Sequence, residues 1–113
     1  MLDTEFERVS LPLSDAFTIS RGTQETAENV VVRIADDSGT TGVGAAAPSP
    51  HYGETAATVA AVLPDLLAVV ESVGDPHARQ RIERERREVV ADNPAAHAAV
   101  DIALHDLAAK RLK

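Results

Sequence analysis

The chain has 113 residues, enough for one domain with a modest core, and 44% of them are apolar although only 3% are aromatic. Its net charge of −7 disfavours nucleic acids and anionic membranes as partners, and the absence of cysteine excludes disulfides and thiolate sites. The N-terminus is too acidic for a signal peptide and no apolar run approaches about 18 residues, so the sequence predicts a cytoplasmic protein without a membrane partner.

The first half of the chain predicts β-strands. Apolar alternation and β-branched runs indicate three strands, over residues 5–13, 29–35 and 40–47. The turn signal Asp36-Asp37-Ser38-Gly39 predicts a hairpin between the second and third strands. Two glycines in the third strand, Gly42 and Gly44, indicate either a bulge or the close approach of another backbone.

The second half predicts helices over residues 54–72, 76–90 and 94–112. Pro64 is expected to kink the first helix, because its ring clashes with the carbonyl of Ala60. The dipeptides Asp75-Pro76 and Asn93-Pro94 each predict an N-cap followed by proline at the first helical position. The predicted fold class is α+β: a three-stranded antiparallel β-meander followed by a bundle of three helices, or four.

The charged run over residues 79–88 does not predict a nucleic-acid site. Its acids and bases alternate at helical spacing, and it has no aromatic residue on which a base could stack. This spacing predicts a self-neutralised, solvated helix face with four i,i+4 pairs: Arg79/Glu83, Arg81/Glu85, Glu83/Arg87 and Arg84/Glu88.

A stripe of His97, Asp101 and His105 on the third helix contains residue types that bind zinc. On a straight helix, however, His97 and His105 are separated by about 12 Å along the axis, too far apart to share one ion. We therefore predict structural polar residues here and no metal site.

Two loops are the candidate binding segments, over residues 17–23 and 48–54. Each combines an aromatic residue with polar groups and glycine, a composition common in loops that cover a ligand. Arg21 in the first loop can hold a carboxylate through two parallel hydrogen bonds. An ordinary surface loop with a solvated arginine is the alternative interpretation.

Several segments carry a family resemblance: Phe17-Thr-Ile-Ser-Arg-Gly22, the strand over residues 29–34, Gly42-Val-Gly44 with Pro48, Tyr52-Gly53-Glu54-Thr55, and Ala96-x-x-Ala99-x-Asp101-x-Ala103-Leu104-x-Asp106-Leu107-x-x-Lys110. With these, in this order, the chain resembles the N-terminal capping domain of the enolase superfamily, in the muconate-lactonizing subgroup. It is most similar to dipeptide epimerases that act on Ala-Glu. Ala45 departs from the family, which commonly has glutamate there, and Lys113 stands where glycine is usual.

The resemblance implies a division of labour. Family members carry a (β/α)₈ barrel after the capping domain, and this chain of 113 residues lacks that barrel. Barrel lysines remove and return the proton α to a carboxylate, and Mg²⁺ held by barrel carboxylates stabilises the enediolate. The resemblance therefore implies no catalytic residue and no metal ligand within this chain, and Mg²⁺ only for the full-length enzyme.

The same resemblance implies where substrate binds. Two loops of the capping domain close over the barrel mouth and select a small-molecule carboxylate, here a dipeptide. The substrate-binding residues carried over are Ile19, Ser20 and Arg21 in the first loop and His51 and Tyr52 in the second, with Arg21 facing a substrate carboxylate.

Two alternatives stay open. The first alternative keeps the superfamily but changes the reaction: the parent enzyme would be a muconate cycloisomerase or an o-succinylbenzoate synthase. In a different class, the chain is a stand-alone binding or oligomerisation module without catalysis. This second alternative follows from the alanine-rich core, which would need a partner such as a second copy to cover its apolar faces.

Overall fold

The computed structural model describes residues 2–12, 26–46 and 55–112. Within them lie three strands and then three helices: β1 (Asp3–Pro12), β2 (Thr26–Ala35), β3 (Thr41–Ala46), α1 (Ala56–Val73), α2 (Arg79–Val89) and α3 (Pro94–Arg111). The strands form one antiparallel sheet in the order β1-β2-β3, as a meander should. The predicted α+β class is confirmed.

The core lies between one face of the sheet and the helices. On β2 the alternate residues Val30, Val32 and Ile34 are fully buried, as expected for a strand with one covered face. They meet buried aliphatic side chains of the helices: Val59, Leu63, Leu66, Val70, Ile82, Val100, Leu104 and Leu107. No aromatic side chain is fully buried in the described part of the chain, so small and branched residues fill this core.

The helix starts differ from their predictions. α2 begins at Arg79 and not at Pro76, because the Asp75 carboxylate accepts from the His77 N–H at 2.9 Å and closes a turn there. α3 begins at Pro94 as predicted, but the Asn93 side chain does not cap it. Asn93 has a left-handed backbone (φ 57°), and its amide donates to the Ala91 carbonyl at 2.9 Å.

α1 begins with a cap that the sequence analysis did not identify. The Thr55 hydroxyl accepts from the Thr58 N–H at 3.1 Å, and the Thr58 hydroxyl accepts from the Thr55 N–H at 2.8 Å. These reciprocal bonds satisfy two donors that a helix start leaves unpaired. The helix then continues through Pro64, which is exposed, to a left-handed Gly74 at its end.

By length and composition α1 could cross a membrane, with a mean hydropathy of 1.7 over 18 residues. The expectation that no apolar stretch approaches the length of a membrane span is therefore wrong for α1. Composition alone does not distinguish a membrane span from a core helix, which meets the same criteria. Here 39% of the helix is buried inside the protein, on the side that packs against the sheet and α3.

The contact between α3 and β3 is unusually close because both surfaces are small. A Cβ placed on Gly42 would lie 2.2 Å from the Ala103 carbonyl oxygen, and one on Gly44 would lie 2.2 Å from the Ala99 carbonyl oxygen. The paired residues of β2 and β3 run without interruption, so there is no bulge between them. Of the two predicted reasons for these glycines, the close backbone approach is the correct one.

Both outer edges of the sheet are capped by helix side chains. On β3 the Val43 N–H donates to the Asp106 carboxylate at 2.9 Å, and Lys110 donates to the Thr41 carbonyl at 2.8 Å. On β1 the Thr4 N–H donates to the Glu71 carboxylate of α1 at 3.1 Å. These contacts satisfy backbone groups that an edge strand otherwise presents to other chains.

The α3–β3 contact predicts that Gly44→Ala destabilises the protein by about 2–3 kcal/mol, because the added methyl group forces α3 away from the sheet. The free energy of unfolding in urea measures the change. Ala45→Val is the matched control: it adds larger groups at the next residue, on the exposed face, and should change stability by less than about 0.5 kcal/mol. Equal stabilities for Gly44→Ala and the parent would contradict the close contact.

The cap on β3 predicts a pH-dependent effect of Asp106→Asn. The hydrogen bond from Lys110, followed by that from the Val43 N–H, lowers the pKa of Asp106. A lowered pKa stabilises the fold above the ordinary value of 3.8, and this contribution is lost as the pH falls below it. Asp106→Asn should therefore lower the urea midpoint at pH 7 and have less effect near pH 3. Asp65→Asn, on the exposed face of α1, is the control; a deficit for Asp106→Asn that is the same at both pH values would contradict this account.

Candidate functional site

The predicted substrate-binding residues lie outside the described residues. Ile19, Ser20 and Arg21 fall in residues 13–25, and His51 and Tyr52 fall in residues 47–54. Their roles therefore stay predictions. What the structure does describe is the framework on either side of both segments.

That framework brings both segments to one end of the sheet. Pro12 pairs with Thr26, so β1 ends where β2 begins, and the first segment connects these two residues. Ala46, the last residue of β3, pairs with Val30, four residues farther along β2. Four residues correspond to about 13 Å along a strand. The attachment points of the two predicted loops are thus neighbours, as residues acting on one ligand require.

The α3 motif that carried the family resemblance has a structural explanation. Ala99 and Ala103 lie against the glycines of β3, and Asp106 and Lys110 cap the edge of the same strand. Asp101 accepts from Arg86 at 2.5 Å and ties α3 to α2. Each of these motif residues therefore holds α3 against a neighbouring element, most of them against the strand that leads into residues 47–54.

The His–Asp stripe of α3 is divided among three separate contacts. The buried His97 ring donates through Nε2 to the Val90 carbonyl at 3.0 Å, Asp101 binds Arg86, and the exposed His105 ring contacts the Arg79 guanidinium. Across the described ranges, no three His, Cys, Asp or Glu side chains are grouped so that they could hold a metal ion. The contacts support the structural interpretation of the stripe.

Sequence reasoning missed Arg86. It was placed on a solvated face, yet its side chain is 0% exposed and donates to the His97 carbonyl at 2.9 Å and to Asp101. A signal was present, because Arg86 lies one helical turn after Ile82, the only apolar residue of the run over residues 79–88 and also fully buried.

The remaining charges of α2 form part of the predicted pattern. Arg81 binds Glu85 at 2.7 Å and Arg87 binds Glu83 at 3.1 Å, so two of the four predicted pairs are formed within the described part of α2. Arg79 contacts His105 of α3 instead of Glu83. Most of this helix is a self-neutralised face, and it is joined to α3 at two points.

The hairpin end of the sheet holds a polar cavity of about 590 Å³. Asp36 lines it and accepts from the Ser38 N–H and hydroxyl, from the Thr40 N–H and from Arg111. The Ser38 hydroxyl, first among these donors, lowers the pKa of Asp36. The cavity lies at the opposite end of β2 from Thr26, about 30 Å away along the strand, and is therefore separate from the predicted loops.

Comparison with known proteins agrees with this fold. Residues 2–113 match the family described as mandelate racemase/muconate lactonizing enzyme, N-terminal domain. An L-Lys-D/L-Arg epimerase of Desulforapulum autotrophicum is 40% identical over 90% of the chain, and an L-Ala-D/L-Glu epimerase of Escherichia coli is 37% identical over 88%. The chain covers only 29% and 28% of the lengths of these relatives.

Solved structures extend the agreement to three dimensions. A dipeptide epimerase of Enterococcus faecalis, solved as a complex with Mg and the dipeptide L-Leu-L-Tyr, has a TM-score of 0.82 and 28% identity to this chain. The similarity covers 96% of the chain and 31% of that structure. The chain thus belongs to the N-terminal domain family of the mandelate racemases and muconate lactonizing enzymes, which is the capping domain of the enolase superfamily.

Proposed function

We propose that this chain is the substrate-selecting capping domain of a Mg²⁺-dependent dipeptide epimerase, and that it supplies two specificity loops and no catalytic residue. The observation that carries the proposal is the attachment of both predicted loops to one end of the sheet, beside the strand that α3 holds. Relatives over about nine-tenths of the chain bear the names of dipeptide epimerases, which supports this substrate class.

The chemical role proposed for this chain is recognition. Arg21 binds a carboxylate of the dipeptide through charge-assisted hydrogen bonds, and Ile19 and Ser20 shape the same loop. His51 and Tyr52 cover the substrate from the second loop. Closing these loops excludes water from the reacting carbon and orients the substrate, which lowers the barrier without a catalytic group from this domain.

The metal and the proton transfer belong to the part of the proposed enzyme that follows the capping domain. Within the described residues, no cluster of ligands fits Mg²⁺, so we derive no step through the ion here. When bound in the barrel, Mg²⁺ would stabilise the negative charge that develops on the substrate carboxylate. The chain spans less than a third of its relatives, and the whole activity is accordingly part of the proposal.

We also propose that the enzyme is cytoplasmic and has no nucleic-acid or membrane partner, because its substrate is a small carboxylate and the net charge of this chain is −7.

A second candidate function, a non-catalytic oligomerisation module, is favoured by apolar residues that remain on the outside of the domain. Ile102 of α3 and Val43 of β3 are 50% and 41% exposed. Sedimentation equilibrium of the purified chain tests this candidate: a monomer argues against the module, and a stable dimer supports it.

The division of labour predicts that the 113-residue chain alone exchanges no Cα hydrogen of a dipeptide in D₂O with Mg²⁺. A fusion supplies the missing part: this chain replaces the matching 28% of the Escherichia coli relative. The fusion should incorporate deuterium at the Cα atom, which mass spectrometry detects. The remainder of the relative without any capping domain is the control. Turnover by the chain alone, or a folded fusion without turnover, would reject the proposed role.

The role of Arg21 predicts that Arg21→Ala in the active fusion lowers kcat/KM for dipeptides about 10- to 100-fold, the value of one or two charge-assisted hydrogen bonds. Arg84→Ala, which removes an exposed arginine of α2, is the matched control and should leave kcat/KM unchanged. Equal kcat/KM values for Arg21→Ala and the parent fusion would remove Arg21 from the site. Such a result, together with turnover of a cycloisomerase substrate, would favour the muconate cycloisomerase alternative.

A further inference from the structure

His97 is a buried histidine with one unsatisfied nitrogen. Its side chain is 3% exposed in the first turns of α3, and Nε2 donates to the Val90 carbonyl at 3.0 Å. Nδ1 is buried and has no hydrogen-bond partner. Because Nε2 carries the proton that is donated to Val90, Nδ1 is the acceptor nitrogen of a neutral ring.

Two arginines of α2 place positive charge near this ring. The Arg86 guanidinium is fully buried, donates to the His97 carbonyl at 2.9 Å, and keeps its Nε without a partner. Arg87 is next along the helix and lines a cavity of about 380 Å³ together with His97. Two arginines therefore oppose a further positive charge at this position.

The acidic residues near the ring do not offer an acceptor to Nδ1. Asp101 of α3 is already bound to Arg86 at 2.5 Å, and Asp92 of the α2–α3 connection lines the same cavity. On the other elements that pack against α3, β3 has no titratable residue, and the only ones on α1 are the exposed Asp65 and Glu71. On β2, Arg33 binds Glu5 and Glu7 of β1, and Glu28 pairs with Ser10 of β1. Among the side chains of these elements that the structure describes, no acidic group is buried.

Protonation of Nδ1 would therefore place a charged N–H in a buried position without an acceptor. Burial, and then the charges of Arg86 and Arg87, lower the pKa of His97 below its ordinary value of 6.5, against the opposing effects of the hydrogen bond to Val90 and of the Asp101 charge. When the connection opens, the ring reaches water and binds a proton at its ordinary pKa. The open form then holds more protons than the closed form, so acid favours opening at pH values below about 6.5.

We propose that His97 makes the connection between α2 and α3 an acid-sensitive joint, closed at neutral pH and opened locally when the ring is protonated. The joint includes the end of α2 from Arg86, the connection through Val90 and the first turns of α3. It does not rest on the proposed function, because every readout below measures this segment itself.

Opening of the joint has a structural consequence for β3. The first turns of α3 contain Ala99, whose carbonyl oxygen lies against Gly44, two residues before the end of β3 at Ala46. Residues 47–54 follow directly. Loosening α3 at its start therefore weakens the contact that holds the end of β3.

Hydrogen–deuterium exchange with peptide resolution tests the joint in the protein as its gene encodes it. After correction for intrinsic exchange, the opening constant of peptides over residues 86–98 should rise between pH 7.5 and 5.5, by up to tenfold per pH unit below about 6.5. Peptides over residues 29–35 of β2 should stay protected. Opening constants that do not change with pH over residues 86–98 would overturn the proposal.

Two histidine variants assign the effect to one ring. In His97→Gln the side-chain amide can still donate to Val90 but does not titrate, so the pH dependence over residues 86–98 should disappear. His77→Gln, which removes an exposed histidine before α2, should retain the full pH dependence. A wild-type pH dependence in His97→Gln would overturn the assignment.

The ring itself provides a measurement that needs no variant. In a two-bond ¹H–¹⁵N spectrum, His97 should remain the neutral Nε2–H tautomer at pH 6, a pH at which an unperturbed imidazole is largely protonated. A His97 ring that is largely protonated at pH 6 in the folded protein would overturn the proposal, even if the glutamine variant failed to fold.

Discussion

The close contact between α3 and β3 is the constraint on which the rest of the domain depends. Gly42 and Gly44 present bare backbone to a helix face made of Ala99 and Ala103, and no side chain larger than hydrogen fits at these two positions of the strand. This contact brings the helix near enough for its polar side chains to reach the backbone of β3. It also orients the strand from which residues 47–54 depart, and so connects a packing requirement with the proposed function.

Charged side chains of the helices stabilise the edges of the sheet. Asp106 and Lys110 satisfy the outer edge of β3, and Glu71 does the same for β1 on the other side of the sheet. A three-stranded sheet has two edges and only one central strand, so capping both edges protects it from pairing with other chains. The α3 motif that carries the family resemblance therefore consists of residues that hold α3 in place, and it does not contain residues proposed to take part in the reaction.

The interface between α2 and α3 follows a different physical rule. Arg86 is fully buried and donates to one carboxylate, that of Asp101, and to the His97 carbonyl. The ring of the same His97 has a buried nitrogen without a hydrogen-bond partner. Buried polar groups stabilise a fold only while they remain satisfied, and they become costly when their charge changes. The contact between the glycines of β3 and the alanines of α3 contains no titratable group, whereas the contact between α2 and α3 contains an arginine, an aspartate and a histidine, and both hold the same helix.

The sequence by itself determined the three strands, the hairpin at Asp36–Gly39 and the order of strands before helices, because side-chain periodicity and turn chemistry are local. Whether the β3 glycines mark a bulge or a close approach was decided by the packing of α3 on the sheet. Loop composition made Arg21 and Tyr52 candidates, and the family resemblance predicted that they bind substrate; both residues lie outside the described part of the chain, so this stays a prediction. The tertiary structure decided that Arg86 is buried, that Asp75 closes a turn, and which partner each residue of the His–Asp stripe has. Those outcomes depend on groups distant in sequence, whose approach is set by the packing of α3 on the sheet.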